Sequence, residues 1–297
     1  MARIVCVGLA CLDYLFQVQD LPGGGGKFFA QNYVAAPGGP AAAASIAAAA
    51  LGHEAIFLGR LGDDGVAQEI INHLQARGVQ TDYIKKVDGQ SSQVSAVIVD
   101  SEGERQIINY SSSQLDPNPA WLPEEVIRSA DVVLTDVRWP EGAERALRIA
   151  AENNIASLID ADIAPVDISH IVGLAGYAVF SERGLEMVTG EKDLHKGLHR
   201  AAQASGAFVG VTAGAQGSFW LEGDQLCSCP AERIEAIDTC GAGDVFHGAL
   251  AVALAERMSM AEAMRFSGAT AALKCLQFGG SMGAPSRAAV DQLLASR

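Results

Sequence analysis

Apolar residues fall into short unbroken runs separated by longer amphipathic or small-residue stretches. "RIVCVGL" (3–9), "EAIFLGRLG" (54–62), "DVVLTDV" (131–137), "IASLIDAD" (155–162), "YAVFS" (177–181) and "AFVGVTAG" (207–214) are runs of strand length. A strand that is apolar on both faces is covered on both faces, as in a parallel sheet. Helix-like segments lie between the runs. "PAAAASIAAAALG" (40–52) carries Pro40 near its first turn and Gly52 as a stop. "DGVAQEIINHLQARG" (64–78) ends in Gly78, and another helix begins near Glu141. This alternation predicts an α/β fold with a mostly parallel central sheet flanked by helices on both faces.

Two segments break the pattern. "KFFAQNYVAAPGG" (27–39) and "SQVSAVIVDSEGERQIINYSSS" (92–113) read as strands with turns, the second as a hairpin around "DSEGE". Neither fits between a parallel strand and its helix. Together they predict a small protruding β-sheet, a lid formed by about 14–37 and 91–112 and entered through the flexible "GGGG" at 23–26. From Gly243 onward the chain reads as mainly helical. Nothing resembling a linker or repeat divides it, so a single domain over 1–297 is expected. Hydrophobic residues make up 49% of the sequence, enough for a large core, and the many Ala and Gly residues suit helices packed closely on a sheet.

Charge narrows the partners. The formal net charge of −14 disfavours nucleic acid and an anionic membrane surface. It leaves room for an anionic small molecule in a locally basic pocket. No apolar run is long enough to span a bilayer, and the N-terminal stretch lacks the pattern of a signal peptide, so a cytoplasmic protein is expected. The six cysteines show neither zinc spacing nor a paired framework and read as reduced thiols.

The densest chemistry stands in "DTCGAGDVFHGAL" (238–250). Gly241, Ala242 and Gly243 lead into an apolar helix-like segment, with Asp244 directly behind them. Small residues at a helix start let bare N–H groups converge on an anion, and the helix dipole adds positive charge there. An aspartate at that point repels a bound phosphate but suits a base that takes the proton of an attacking hydroxyl. A plain helix N-cap explains such an aspartate equally well when the motif stands alone. Two further stretches shift that balance. In "APGGPAAAASIAAAALG" (36–52), Gly38 and Gly39 precede a helix of small residues. In "VGVTAGAQGSFWL" (209–221), Thr212, Gly214 and Gly217 punctuate a turn able to admit a nucleotide. A Walker A loop is absent.

"DTCGAGDVFHGAL" and the "PGGPAAAAS…ALG…FLGRLGDDGVAQEI" block resemble the two signatures of the ribokinase-like, or PfkB, carbohydrate kinases. The resemblance covers essentially the whole chain. It implies a ribokinase-like fold, transfer of the ATP γ-phosphoryl group to a sugar hydroxyl, and a β lid that joins two subunits of a homodimer. It implies Asp244 as catalytic base and Gly241 to Gly243 as the anion hole. It also implies Asp13, at the end of the first strand, and Gly38 and Gly39 as sugar contacts. Thr212 to Gly217 and the segment from Gly268 fall on its nucleotide side. Mg²⁺ is expected with ATP, and a monovalent cation is an option. Two departures stand out: Pro40 follows the glycine pair where Asn is common, and Ser181-Glu182-Arg183-Gly184 replaces the N-x-x-E motif. Glu182 is left as the one acid able to act on the metal from its outer sphere.

Lys27, Asn109 and Arg138 are polar residues set in apolar surroundings. In this fold they are expected to converge on the end of the sugar opposite Asp244. A fork of donors, a point charge and an amide suit a sulfonate, phosphate or carboxylate. The residues alone indicate an anionic ketose or sugar acid. "GGPAA", "IINY", "DVRW" and "FSE" further resemble the bacterial sulfofructose kinases, which implies phosphorylation of 6-deoxy-6-sulfofructose at its 1-hydroxyl. A hexulose phosphate, a 2-keto-3-deoxy sugar acid, a neutral sugar and a non-catalytic sensor remain as alternatives.

Overall fold

The computed structural model describes residues 1–111, 115–164 and 166–296. β1 (Arg3–Gly8) is followed at once by β2 (Cys11–Gln17) and, after a loop, by β3 (Asn32–Gly38). α1 (Pro40–Ala50), β4 (Glu54–Gly62), α2 (Gly65–Ala76) and the short β5 (Val79–Gln80) and β6 (Lys85–Val87) come next. A hairpin of β7 (Val94–Val99) and β8 (Arg105–Tyr110) precedes α3 (Glu124–Arg128) and β9 (Val132–Asp136). Alternation resumes through α4 (Pro140–Glu152), β10 (Ala156–Ala161), α5 (Ser169–Val172), β11 (Tyr177–Ser181), α6 (Glu182–Thr189), α7 (Leu194–Ser205) and β12 (Phe208–Thr212). Then come β13 (Ser218–Glu222), β14 (Gln225–Cys229), α8 (Ala242–Ala255), α9 (Met260–Lys274) and α10 (Arg287–Ala295).

Ten strands form the central sheet, in the order β14-β13-β12-β11-β10-β9-β1-β4-β5 with β6 also paired to β4. All pairs are parallel except β12–β13 and β13–β14. The doubly apolar strands behave as expected. Ile4 and Cys6 of β1 join one core with α1, α2, α8 and α9, while Val5 and Val7 join another with α3 and α4. The small residues have a packing purpose. A Cβ on Gly248 of α8 would lie 2.4 Å from the Ala44 carbonyl oxygen of α1, so these helices meet almost backbone to backbone. No helix among the described residues is long and apolar enough to cross a membrane.

The second sheet has four strands in the order β3-β2-β7-β8. It differs from the expected lid in two ways. It begins at Cys11, three residues before the expected start at 14, because "CLDYLFQ" is one strand, paired antiparallel to β3 and parallel to β7. Residues 27–30 are not strand; β3 begins only at Asn32, because the glycine run before it supplies neither side chains nor stiffness for pairing. The expected end of the lid at 112 lies outside the described residues. One face of the sheet is buried through Leu15, Ala36, Val97 and Val99. Tyr33, Ile108 and Tyr110 are exposed, as are Phe28 and Phe29 in the preceding loop.

Candidate active site

The turn that opens α8 is built by Asp238, whose Oδ1 accepts the Cys240 N–H at 2.8 Å. Gly241 is the N-cap, with φ of 75°, a left-handed conformation that costs glycine nothing. Ala242, Gly243 and Asp244 are the first three helical residues, where no helical carbonyl precedes their amides. The Asp244 carboxyl faces a cavity of about 1180 Å³. Burial, and then the negative charge of Asp160, push its pKa up to about 7, against the pull of His247. A carboxyl poised near neutrality is matched to general-base work.

Asp13 lies across the same cavity on β2, not at the end of the first strand, opposite Ala36 and Ser95. The Cys11 thiol donates to its Oδ1 at 3.3 Å, and burial raises its pKa. Gly38 sits directly behind it: a Cβ there would fall 2.0 Å from Asp13 Oδ2. Gly39 caps α1 with φ of 91°, and a Cβ on it would strike the Leu9 carbonyl oxygen at 2.5 Å. A buried carboxylate, Asp136, fixes this corner. Its Oδ2 accepts the N–H groups of Leu9 at 2.8 Å and Ala41 at 3.0 Å, and its Oδ1 that of Arg138 at 2.8 Å.

Arg138 thus begins the loop after β9 with its backbone anchored, and its guanidinium lines the cavity. It is not a free cation, since Nη2 donates to Asp162 Oδ2 at 2.9 Å. Asn109 stands opposite Ser95 on β8 and also lines the cavity, two and four residues from Ile107 and Arg105 on the same face. The Arg105 guanidinium donates to Thr239 Oγ1 at 2.7 Å, and Thr239 donates to the Gly103 carbonyl at 3.0 Å. The hairpin tip is therefore tied to the turn before α8.

The other end of the cavity is lined by Thr212, Gly214 and Gly217 after β12, and by Gly268, Ala271 and Ala272 of α9. Short side chains leave a flat slot there. Asp13, Gly39, Asn109, Arg138, Gly241 to Asp244 and the nucleotide-side residues thus meet in one space.

Three expected residues are not on its lining, and the first is Gly38, which stands behind Asp13. Glu182 is exposed in the first turn of α6. Lys27 is exposed beside Phe28, which packs near Phe16, Ala96 and Ile98 on the outer face of the small sheet. That sheet separates it from Asn109 within one chain. The acids that do line the cavity near Arg138 are Asp160 and Asp162, from the end of β10. A polar residue in apolar surroundings, the signal that marked Arg138, is also present in "LIDAD". His247 was legible only as part of a helix. It is buried, with Nδ1 2.7 Å from the Gly243 carbonyl and 3.3 Å from Asp160 Oδ2, and with Nε2 3.2 Å from the Val179 carbonyl.

The model of the pfkB family of carbohydrate kinases matches residues 1–287. The chain is 29% identical to the ribokinase of Bacillus subtilis over 99% of its own length and 100% of that protein's. It is 28% identical to the deoxyribokinase of Salmonella typhimurium, with 84% of each chain covered. A crystal structure from Agrobacterium tumefaciens, provisionally named a ribokinase, superposes with a TM-score of 0.95 at 35% identity, covering 99% of this chain and 98% of that one. With its ribokinase-like fold and a family match over nearly its full length, the chain belongs to the pfkB family and is an ATP-dependent carbohydrate kinase.

Proposed function

We propose that Asp244 is the general base of this kinase and that its sugar carries an anionic group, with 6-deoxy-6-sulfofructose, phosphorylated at its 1-hydroxyl, as the best candidate. The reading rests on one arrangement: Asp244 at a helix N-terminus on one wall of the cavity, with Arg138, Asn109 and Arg105 together on the same cavity's lining. Asp13 orients the sugar hydroxyls. The Asp244 carboxylate takes the proton as the sugar oxygen bonds to the γ-phosphorus. The bond from that phosphorus to the bridging oxygen breaks, and ADP leaves. The amides of the Gly241–Asp244 turn hold the charge on the transferring group. The slot between Thr212 and Gly268 takes the nucleotide.

Magnesium enters as part of the ATP substrate. Glu182 does not fit the outer-sphere role, because it is exposed and off the cavity lining. Among the described residues no group of three or more His, Cys, Asp or Glu side chains is disposed to hold a metal ion. Phosphate oxygens and water supply most ligands of such an ion.

The names of the relatives favour a second reading, a neutral pentose such as ribose or deoxyribose. The arginines support the first, because each guanidinium has five donors, and Arg138 gives one to Asp162 and Arg105 one to Thr239, which leaves donors for an anionic group on the sugar. Initial rates of ADP formation, measured side by side on sulfofructose, fructose 6-phosphate, 2-keto-3-deoxygluconate, fructose, ribose and deoxyribose, test this. The highest kcat/KM is expected on sulfofructose. A clear preference for ribose or deoxyribose assigns the neutral-pentose reading instead.

A further inference from the structure

Behind the cavity wall lies a lysine that solvent does not reach. Lys274 ends α9 and is 0% exposed. An ammonium in that position is tolerable only where oxygens replace its water. Asp238 supplies them. Lys274 Nζ donates to the Asp238 carbonyl at 2.7 Å and stands 3.6 Å from Asp238 Oδ2. The Asp238 carboxylate spends its remaining capacity on backbone. It accepts from Cys240 at 2.8 Å through Oδ1, and from Gly279 at 3.0 Å and Gly280 at 2.8 Å through Oδ2. The N–H groups of Ile237 and Asp238 donate to the carbonyl of Cys275, the residue after the lysine. One ion pair therefore joins the end of α9, the 279–283 turn and the turn that opens α8. The last two are in contact: a Cβ on Gly241 would lie 3.4 Å from the Ser281 nitrogen.

A buried carbonyl and carboxylate aimed at one point form a site for a small cation, and here the cation belongs to the chain. We propose that the Lys274 ammonium is the resident cation of the phosphoryl-transfer site. It neutralises Asp238, holds the Gly241–Asp244 turn in its anion-binding shape, and occupies the oxygens that a monovalent cation would use. Activity is then independent of added K⁺. The inference rests on reading that turn as the anion hole. Lys274 touches neither substrate and is a positioning residue, its fixed charge offsetting that of Asp238 next to the start of α8.

The experiment is a cation titration of wild type and Lys274→Ala, with K⁺, NH₄⁺, Na⁺ or tetramethylammonium exchanged at a constant ionic strength of about 0.1 M, so that screening is unchanged. Wild-type kcat should be the same in all four. In Lys274→Ala, displacement of the turn should lower kcat by about ten- to a hundredfold, with a much smaller change in KM for the sugar. K⁺ or NH₄⁺, entering the vacated oxygens, should restore a substantial part of that loss, and tetramethylammonium none. A lysine that merely stabilises the fold gives no such cation-selective rescue of kcat. Activation of the wild type several-fold by K⁺ overturns the inference, whether or not the variant folds. So does a folded Lys274→Ala enzyme with wild-type kcat, or one that all four cations leave equally slow. Asp244→Asn retaining the wild-type rate would overturn the general-base reading that places phosphoryl transfer at this turn, and this inference with it, whereas K⁺ activation of an otherwise normal kinase overturns the inference alone.

Discussion

At the scale of single residues, function turns on where charge is allowed to sit. Asp244 must be a carboxylate to accept a proton. Its pKa is raised to about 7 by burial and by Asp160. The proposed base is therefore lost by protonation below that value and present above it. kcat/KM should climb about tenfold per pH unit on the acid side and level off above neutrality, which initial rates across the range will show. Asp244→Asn removes the base while keeping the shape. A loss of about 10²–10⁴-fold in kcat is expected, with ATP affinity measured by calorimetry largely kept. Arg138 tests the substrate. An ionic hydrogen bond contributes about 1.5–3 kcal/mol, so Arg138→Ala should cost about ten- to a hundredfold in kcat/KM on sulfofructose and much less on fructose. The variant also leaves Asp162 without its partner at 2.9 Å, an added negative charge beside the anion. Equal losses on the two sugars would make Arg138 a structural residue.

At the scale of elements, close contact explains the composition. α1 and α8 can touch only because Ala44, Ala47 and Gly248 meet there. Alanine is ordinarily the better helix former by about 1 kcal/mol. At 248 the sign should reverse. Its Cβ would enter the Ala44 backbone, and the overpacking should cost about 1–3 kcal/mol. A lower Tm for Gly248→Ala checks this, and an unchanged or higher Tm would show that the helices can move apart. The small sheet illustrates the opposite case, an element whose pattern misled. "CLDYLFQ" follows β1 after only two residues, so in sequence it resembles a loop off that strand. Its partners, β3 and β7, are distant in the chain, and strand pairing of that kind leaves little local trace.

At the scale of the whole molecule, the outer face of the small sheet needs a partner. Ile108 and Tyr110 of β8 are 70% and 55% exposed, and at the opposite edge Tyr33 of β3 and Phe29 of the loop before it are 52% and 88% exposed. β8 is also an edge strand. Apolar side chains on an open edge invite association. We expect a homodimer through this sheet, as the sequence suggested. Sedimentation should give a dimer, and Ile108→Glu should shift it toward monomer with reduced activity, since the same hairpin carries Asn109 and Arg105 to the cavity. A fully active wild-type monomer excludes this arrangement.

Local chemistry alone determined much of this protein. Runs of apolar residues specified the parallel strands, because a strand covered on both faces admits nothing else. The Gly-Ala-Gly-Asp string specified a helix start with an acid in its first turn, because its requirements are confined to consecutive residues. Distances across the chain were decided only by the tertiary structure. Arg138 meets Asp162, Lys27 stands behind the sheet that carries Asn109, and Glu182 turns to solvent. The buried pair of Lys274 and Asp238 joins residues 36 positions apart, and no periodicity marks either as a partner. A side chain's charge is written in the sequence. Whether that charge is paired, buried or free depends on which strands and helices come together around it.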